Sequence, residues 1–245
     1  MRAYIFILTS LLFFSCEKAA DRACFKGVGT EAVSEQDLGE FNQLYLGPRL
    51  RFDLVQDTVN KVIVRGGENV IGFVKTEVID GKLFITNENK CNFLRSYKKK
   101  ITVELHVKKL QNIEFDATEP TYCLNTLTTD YLSVTINESA GRFHLDLDAE
   151  VLYTVVNRGW GNFEVVGNVN YYKAHLRGNA FGNTTGLSVQ DSIHVITRSG
   201  SDLDINADGV LLRSQIYSVG NIGYIGTPAI IDHSSFGEGE LLNKN

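Results

Sequence analysis

From about Phe41 onward, apolar and polar residues alternate with period two far more often than they recur with the 3.6-residue period of a helix, which predicts strands. Residues 59–65, 70–79, 83–87 and 101–107 show the alternation well. Between TEVI and KLFIT stands Asp80-Gly81, the dipeptide that best tolerates the left-handed dihedrals of a two-residue hairpin turn. Antiparallel pairing is therefore expected in the first half of the chain.

The second half repeats itself. The segments LSVTIN, LYTVVN, YKAHLR, IHVITR and LRSQIY begin at residues 132, 152, 172, 193 and 212, steps of 20, 20, 21 and 19. A glycine follows each, at Gly141, Gly159, Gly178, Gly200 and Gly220, where turn dihedrals that other residues resist are expected. Second short strands follow at 142–148, 162–166, 202–206 and 221–225. A twenty-residue unit of two or three short strands encloses no core alone, but stacked units share a continuous one. The reading is an all-β fold: a right-handed parallel β-helix, or solenoid, with rungs of about twenty residues and antiparallel strands in the N-terminal half. A β-sandwich is the alternative, although nothing in a sandwich requires so regular a step.

The N-terminus carries a different pattern. Arg2 precedes a twelve-residue apolar stretch from Ala3 to Phe14, the length of a signal peptide's apolar region and too short to span a bilayer. It ends in Leu11-Leu12-Phe13-Phe14-Ser15-Cys16, which resembles a bacterial lipobox; cleavage would leave Cys16 first, with its thiol as the lipidation site. The division expected is 1–15 signal peptide, 16–36 polar tether, 37–107 N-terminal strand region and 108–242 rungs, with 37–242 forming one structural domain. An outer-membrane lipoprotein, at the cell surface or on the periplasmic side, follows. After cleavage Cys24, Cys91 and Cys123 remain, enough for one disulfide whose pairing the sequence leaves open.

Composition closes some options. With 245 residues, 43% hydrophobic and 22% charged, the chain is ordinary globular material, and its formal net charge of -5 gives no general attraction to nucleic acid. No GxSxG, HExxH, P-loop or dinucleotide fingerprint is present, nor a Cys/His spacing suited to zinc. Lys98, Lys99 and Lys100 read as charges guarding a strand edge, and His144, His175 and His194 have no neighbour at metal-ligand spacing.

Strand parity then assigns faces. If Leu132, Val134 and Ile136 point inward, the same rule turns Tyr153, Lys173, His175, Arg177, His194, Arg198, Arg213 and Tyr217 outward on one basic and aromatic face. On the second strands His144, Asp146, Asp148, Glu164, Asp202 and Asp204 turn outward on an acidic face. Arginine forks match paired anionic oxygens and tyrosine rings stack on sugars, so Tyr153, Lys173, Arg177, Arg198, Arg213 and Tyr217 are the candidate contacts for an anionic glycan. Trp160, between two glycines at a corner, is either an added stacking ring or a lid over the core. Within GSDLDINADG, Asp202, Asp204 and Asp208 offer the best local calcium ligands, although carboxylates two apart on a strand lie about 6.5–7 Å from each other. Calcium aside, no cofactor is expected.

In order along the chain, GEN at 67–69, TEVIDGKLFIT at 76–86, NENKCNFLRSYKKKI at 87–101, the glycine-cornered rungs and NIGYIGTPAI at 221–230 resemble the GIN-domain family of auto-transporter adhesin head domains, over residues 40 to 242. The resemblance implies a β-solenoid at the surface or in the periplasm of Gram-negative bacteria, often behind a lipoprotein signal, and carries no catalytic residues. The functional reading is an envelope-anchored, non-catalytic binding or adhesion module, with a polysaccharide or an envelope protein as partner and the membrane reached through the lipid anchor. A structural or protein-interaction element of the envelope is the alternative. A polysaccharide-active β-helix enzyme is a weaker rival, because the basic and acidic side chains part onto different faces.

Overall fold

The computed structural model describes residues 26–89 and 100–245. Cys16, Cys24, Cys91, Lys98 and Lys99, with the whole signal-peptide assignment, lie outside these residues. The chain is all-β, about 60% strand and 1% helix, wound into a solenoid of about seven turns.

The predicted step governs the stacking. Strands β10 (Leu127–Ile136), β11 (Arg142–Val156), β12 (Asn162–Leu176), β14 (Leu187–Thr197), β16 (Leu211–Ile216) and β18 (Ile230–Ser235) pair in parallel in that order. In register, Leu132, Leu152, Tyr172, Ile193 and Leu212 form one inward ladder, and Ile136, Val156, Leu176, Thr197 and Ile216 another. On the second side of the solenoid the inward ladder runs Phe143, Phe163, Gly182, Leu203 and Ile222. Gly182 is required there, because its β-carbon would overlap the Phe163 ring. Burying a leucine, isoleucine or phenylalanine is worth about 1.5–3 kcal/mol, so stability accumulates turn by turn along these ladders.

The corner glycines serve close approach more than turn dihedrals. Of the five, Gly159 alone has a positive φ, +91°. At Gly141 and Gly220 the neighbouring turn lies so near that a β-carbon would overlap the carbonyl oxygens of Glu119 and Ser201.

The first half departs from a simple succession of rungs. The hairpin forms as expected: β5 (Val74–Ile79) pairs antiparallel with β6 (Lys82–Asn87) through Asp80 and Gly81, both at positive φ. Residues 70–73, expected to extend β5, instead make a short 3-10 turn over Ile71–Phe73. Parallel stacking already begins before residue 108, and out of sequence order. Strand β2 (Gln43–Leu46) lies between β6 and β8 (Asn112–Phe115), and β3 (Arg51–Gln56) between β7 (Thr102–Val107) and β9 (Thr121–Cys123). The polar segment assigned to a tether is in part a strand: β1 (Glu31–Asp37) pairs antiparallel with β4 (Lys61–Gly67). Backbone hydrogen bonds suffice to hold it at the edge, where nearly every side chain is exposed and none needs an apolar pattern.

The two ends differ. Antiparallel β5 covers β6, and antiparallel β4, overlaid by β1, covers β7, so the N-terminal strands cap that end. The segment after Pro228 is the final rung itself, β18 and β19 (Leu241–Asn243), with Ile230 and Ile231 exposed.

Candidate functional site

On the first long face the outward residues of β11, β12, β14, β16 and β18 stand in three columns, one side chain per rung and about 4.8 Å apart. The first column reads Tyr153, Lys173, His194, Arg213, Asp232. The second reads Val155, His175, Ile196, Gln215, Ser234. Backbone bonds that continue the same stacking place Asn157, Arg177, Arg198, Tyr217 and Phe236 in the third. Lys173, Arg177, Arg198 and Arg213 are thereby gathered from three successive rungs, with Asp232 the one carboxylate in these columns.

The side chains are organised. Lys173 Nζ lies 5.3 Å from the Tyr153 ring centroid, and the Arg198 guanidinium lies 4.3 Å from that of Tyr217, which in turn stacks on Phe236 at 4.8 Å. Arg213 is paired with Asp232 at 2.8 Å. Arg198 Nη1 donates to His175 Nε2 at 3.3 Å, which requires the neutral imidazole. Burial, then Arg177, Arg198 and Lys173, hold the His175 pKa below its ordinary value. Burial, then Lys173 and Arg213, do the same to His194, opposed by Asp232. Two imidazoles are thus kept neutral beside four cations. Below Arg177 the face sinks into a depression of about 510 Å³ lined by Asp116, Asn137, Glu138, Asn157 and Arg158, where Asn157 donates to Asn137 at 2.9 Å.

The acidic face does not assemble the expected calcium set. Asp202 accepts the Asn221 amide at 2.7 Å, Asp204 is paired with Lys244 at 2.5 Å, and Asp208 accepts the Thr227 amide at 2.9 Å. These bonds hold the three carboxylates at separate places, and no group of three possible metal ligands occurs among the described residues. Trp160 is 73% exposed, so it lids no core. Cys123 is a buried free thiol.

Residues 40–228 match the family model described as "Putative auto-transporter adhesin, head GIN domain". The chain belongs to this family. Among curated proteins, none matches. Among solved structures, this GIN domain is similar to a "putative adhesin" of Bacteroides fragilis NCTC 9343, at 21% identity and TM-score 0.79, covering 87% of this chain and 97% of that one. A "putative adhesin" of Parabacteroides distasonis ATCC 8503 gives 20% and 0.60, with coverage of 87% and 96%. A "putative lipid binding protein" of the same strain gives 15% and 0.61, with coverage of 88% and 98%. At these identities the likeness establishes the solenoid fold. The family's adhesin description points to binding rather than catalysis and to the cell surface. No described helix of the GIN domain is long and apolar enough to cross a membrane.

Two members of the basic face escaped the sequence reading. Phe236 and Asp232 each lie nineteen residues after a named candidate, Tyr217 and Arg213, so the repeat carried one rung further finds both. Around Phe181, parity in the second strands already turns Glu164, Asp202 and Asp204 outward on one face, whereas Phe181 and Lys244 lie outside the segments that the repeat identifies.

Proposed function

We propose that the chain is an envelope-anchored binding module whose basic face captures anionic glycans. The convergence of Lys173, Arg177, Arg198 and Arg213 carries this reading. Lys173 and Arg213 stand on parallel strands and Arg177 and Arg198 directly follow strand ends, with aromatic rings beside them and Asp232, already paired with Arg213, the one carboxylate of their columns. Arginine forks match carboxylate or sulfate oxygens in pairs, Tyr153 offers an aromatic ring to a sugar, and Tyr217, between Arg198 and Phe236, orients the guanidinium. Cys16 would carry the lipid that holds the module at the outer membrane.

The test is binding of the full-length chain, purified in detergent, to dextran sulfate, alginate and unsubstituted dextran. Capture of the two anionic polymers that weakens with salt, and is lost when the four cations are replaced by alanine, supports the reading. Capture that survives those replacements refutes it. Anchoring is tested separately by metabolic labelling with a palmitate analogue, which Cys16→Ala must abolish. An envelope structural or protein-interaction role remains the reading if no polysaccharide is bound.

A further inference from the structure

On the opposite face, a cleft of about 420 Å³ opens across the rungs of Asn162, Phe181 and Asp202. Parallel register brings its parts together. Arg142, Asn162, Phe181 and Asp202 follow one another in one column, and Glu164, Asn183 and Asp204 in the column two residues further along the strands. The two columns lie about 6.5–7 Å apart, and three rungs span about 10 Å. Lys244 closes one end. It reaches back from the last rung to Asp204 across Gly223, where a β-carbon would overlap the lysine side chain.

The chemistry of this cleft is balanced rather than acidic. Asp204 is engaged by Lys244, and Glu164 meets His144 Nδ1 at 3.2 Å. Arg142 and Asn162 have no side-chain partner among the described residues and face the cleft as free donors, with the Asn162 carbonyl as a free acceptor. Asp202 keeps one oxygen beyond the Asn221 amide that the other accepts. Between them Phe181 stands 55% exposed, a large apolar ring in a polar setting. Its face is apolar, and around it donors and acceptors alternate.

We infer that this cleft is a second binding site, for a neutral saccharide. A sugar ring has an apolar C–H face that suits Phe181 and hydroxyls that both donate and accept, which suits Arg142, Asn162 and Asp202 together. A polyanion would meet Asp202 and Glu164, and a cation would meet Arg142, so neither is favoured. The cleft shares no lining residue with the basic face, whose residues come from the C-terminal halves of the same long strands β11 and β12 and from later rungs, and which selects by charge.

Affinity electrophoresis of the full-length chain in detergent, through gels containing neutral glucan, mannan, galactan or xylan, tests the inference. The expected result is retardation by at least one of them that persists in about 0.5 M NaCl. Phe181→Ala should weaken it about tenfold, and the alanine variant of the four basic-face cations should leave it unchanged. Phe181 is largely exposed, so the variant keeps its fold, which its thermal transition verifies. Absence of retardation in all four gels, or retardation that Phe181→Ala leaves intact, overturns the cleft. Capture confined to dextran sulfate and abolished in the four-cation variant overturns it too, while supporting the basic-face reading.

Discussion

Arg198 lies over the face of Tyr217, one rung further on, with its guanidinium carbon 4.3 Å from the ring centroid. Tyr217 stacks in turn on Phe236 with the ring planes 15° apart. One cation and two rings from three rungs thus form a single pile, which limits the orientations open to the guanidinium. A double-mutant cycle on Arg198→Ala and Tyr217→Ala should show a coupling of about 0.5–1 kcal/mol in urea unfolding. Additive effects would show that the pile is geometric only.

Glycine substitutions should separate strain from crowding. Gly167 has φ +113°, and a β-carbon there would overlap the Leu147 carbonyl oxygen of the preceding rung. Gly209 also has a positive φ, +73°, but has nothing within 4 Å of the same position. Gly209→Ala should cost about 1 kcal/mol, the backbone penalty alone, and Gly167→Ala at least about 2–3 kcal/mol because the rungs must part. Denaturation midpoints of the two variants measure the difference, and equal losses would contradict it.

The legible parts of this fold are those that depend on neighbours in sequence. Period-two alternation places Leu132 and Leu152 inward and Tyr153 and Arg177 outward, because parity in a strand is a local property. The nineteen- to twenty-one-residue step fixes which side chains share a column. What the chain hides is long-range order. Nothing local tells β2 to sit between β6 and β8, since either neighbour offers a similar apolar ladder. Nor does a polar segment such as Glu31–Asp37 reveal that backbone pairing, with an ion pair from Glu35 to Lys61, secures it to β4. The Phe181 cleft is half hidden for a related reason: Glu164, Asp202 and Asp204 follow from strand parity, but only the stacking brings Phe181 and Lys244 beside them.

Cys123 should be chemically silent in the folded protein. Burial pushes its thiol up to about 11, against partial relief from backbone bonds, and its Sγ donates to the Asn125 carbonyl at 3.0 Å. At pH about 8 the thiolate fraction is correspondingly small and the sulfur is shielded. Peptide mapping after iodoacetamide treatment should find Cys123 unmodified in the native chain and alkylated once urea is added. Rapid native labelling would mean that the strand Thr121–Cys123 opens readily.

Acidification should weaken the fold and strengthen capture of polyanions, two effects of opposite sign from the same two side chains. His175 and His194 have folded pKa values depressed below the ordinary 6.5 by burial and by Lys173, Arg177, Arg198 and Arg213, with Asp232 acting against the shift at His194. Between the folded value and 6.5 the unfolded chain holds more protons than the folded one, so stability is full above 6.5 and declines as pH falls through the folded value. A bound polyanion offsets the surrounding positive charge and raises both values. The complex therefore takes up protons, and affinity grows as pH falls below about 6.5. Carboxylates held below their ordinary values do not confuse this window. Asp57, lowered by the Thr58 amide and His106, and Glu104, lowered by His106 and Arg65, start from ordinary values of 3.8 and 4.5 and lose their contribution only in stronger acid. Urea midpoints and dextran sulfate affinities at about pH 7.5 and 5.5, at one ionic strength, should move in opposite directions. Replacing both histidines by glutamine should flatten the two trends. An affinity that is independent of pH in the unmodified chain would place the anion away from the columns of His175 and His194.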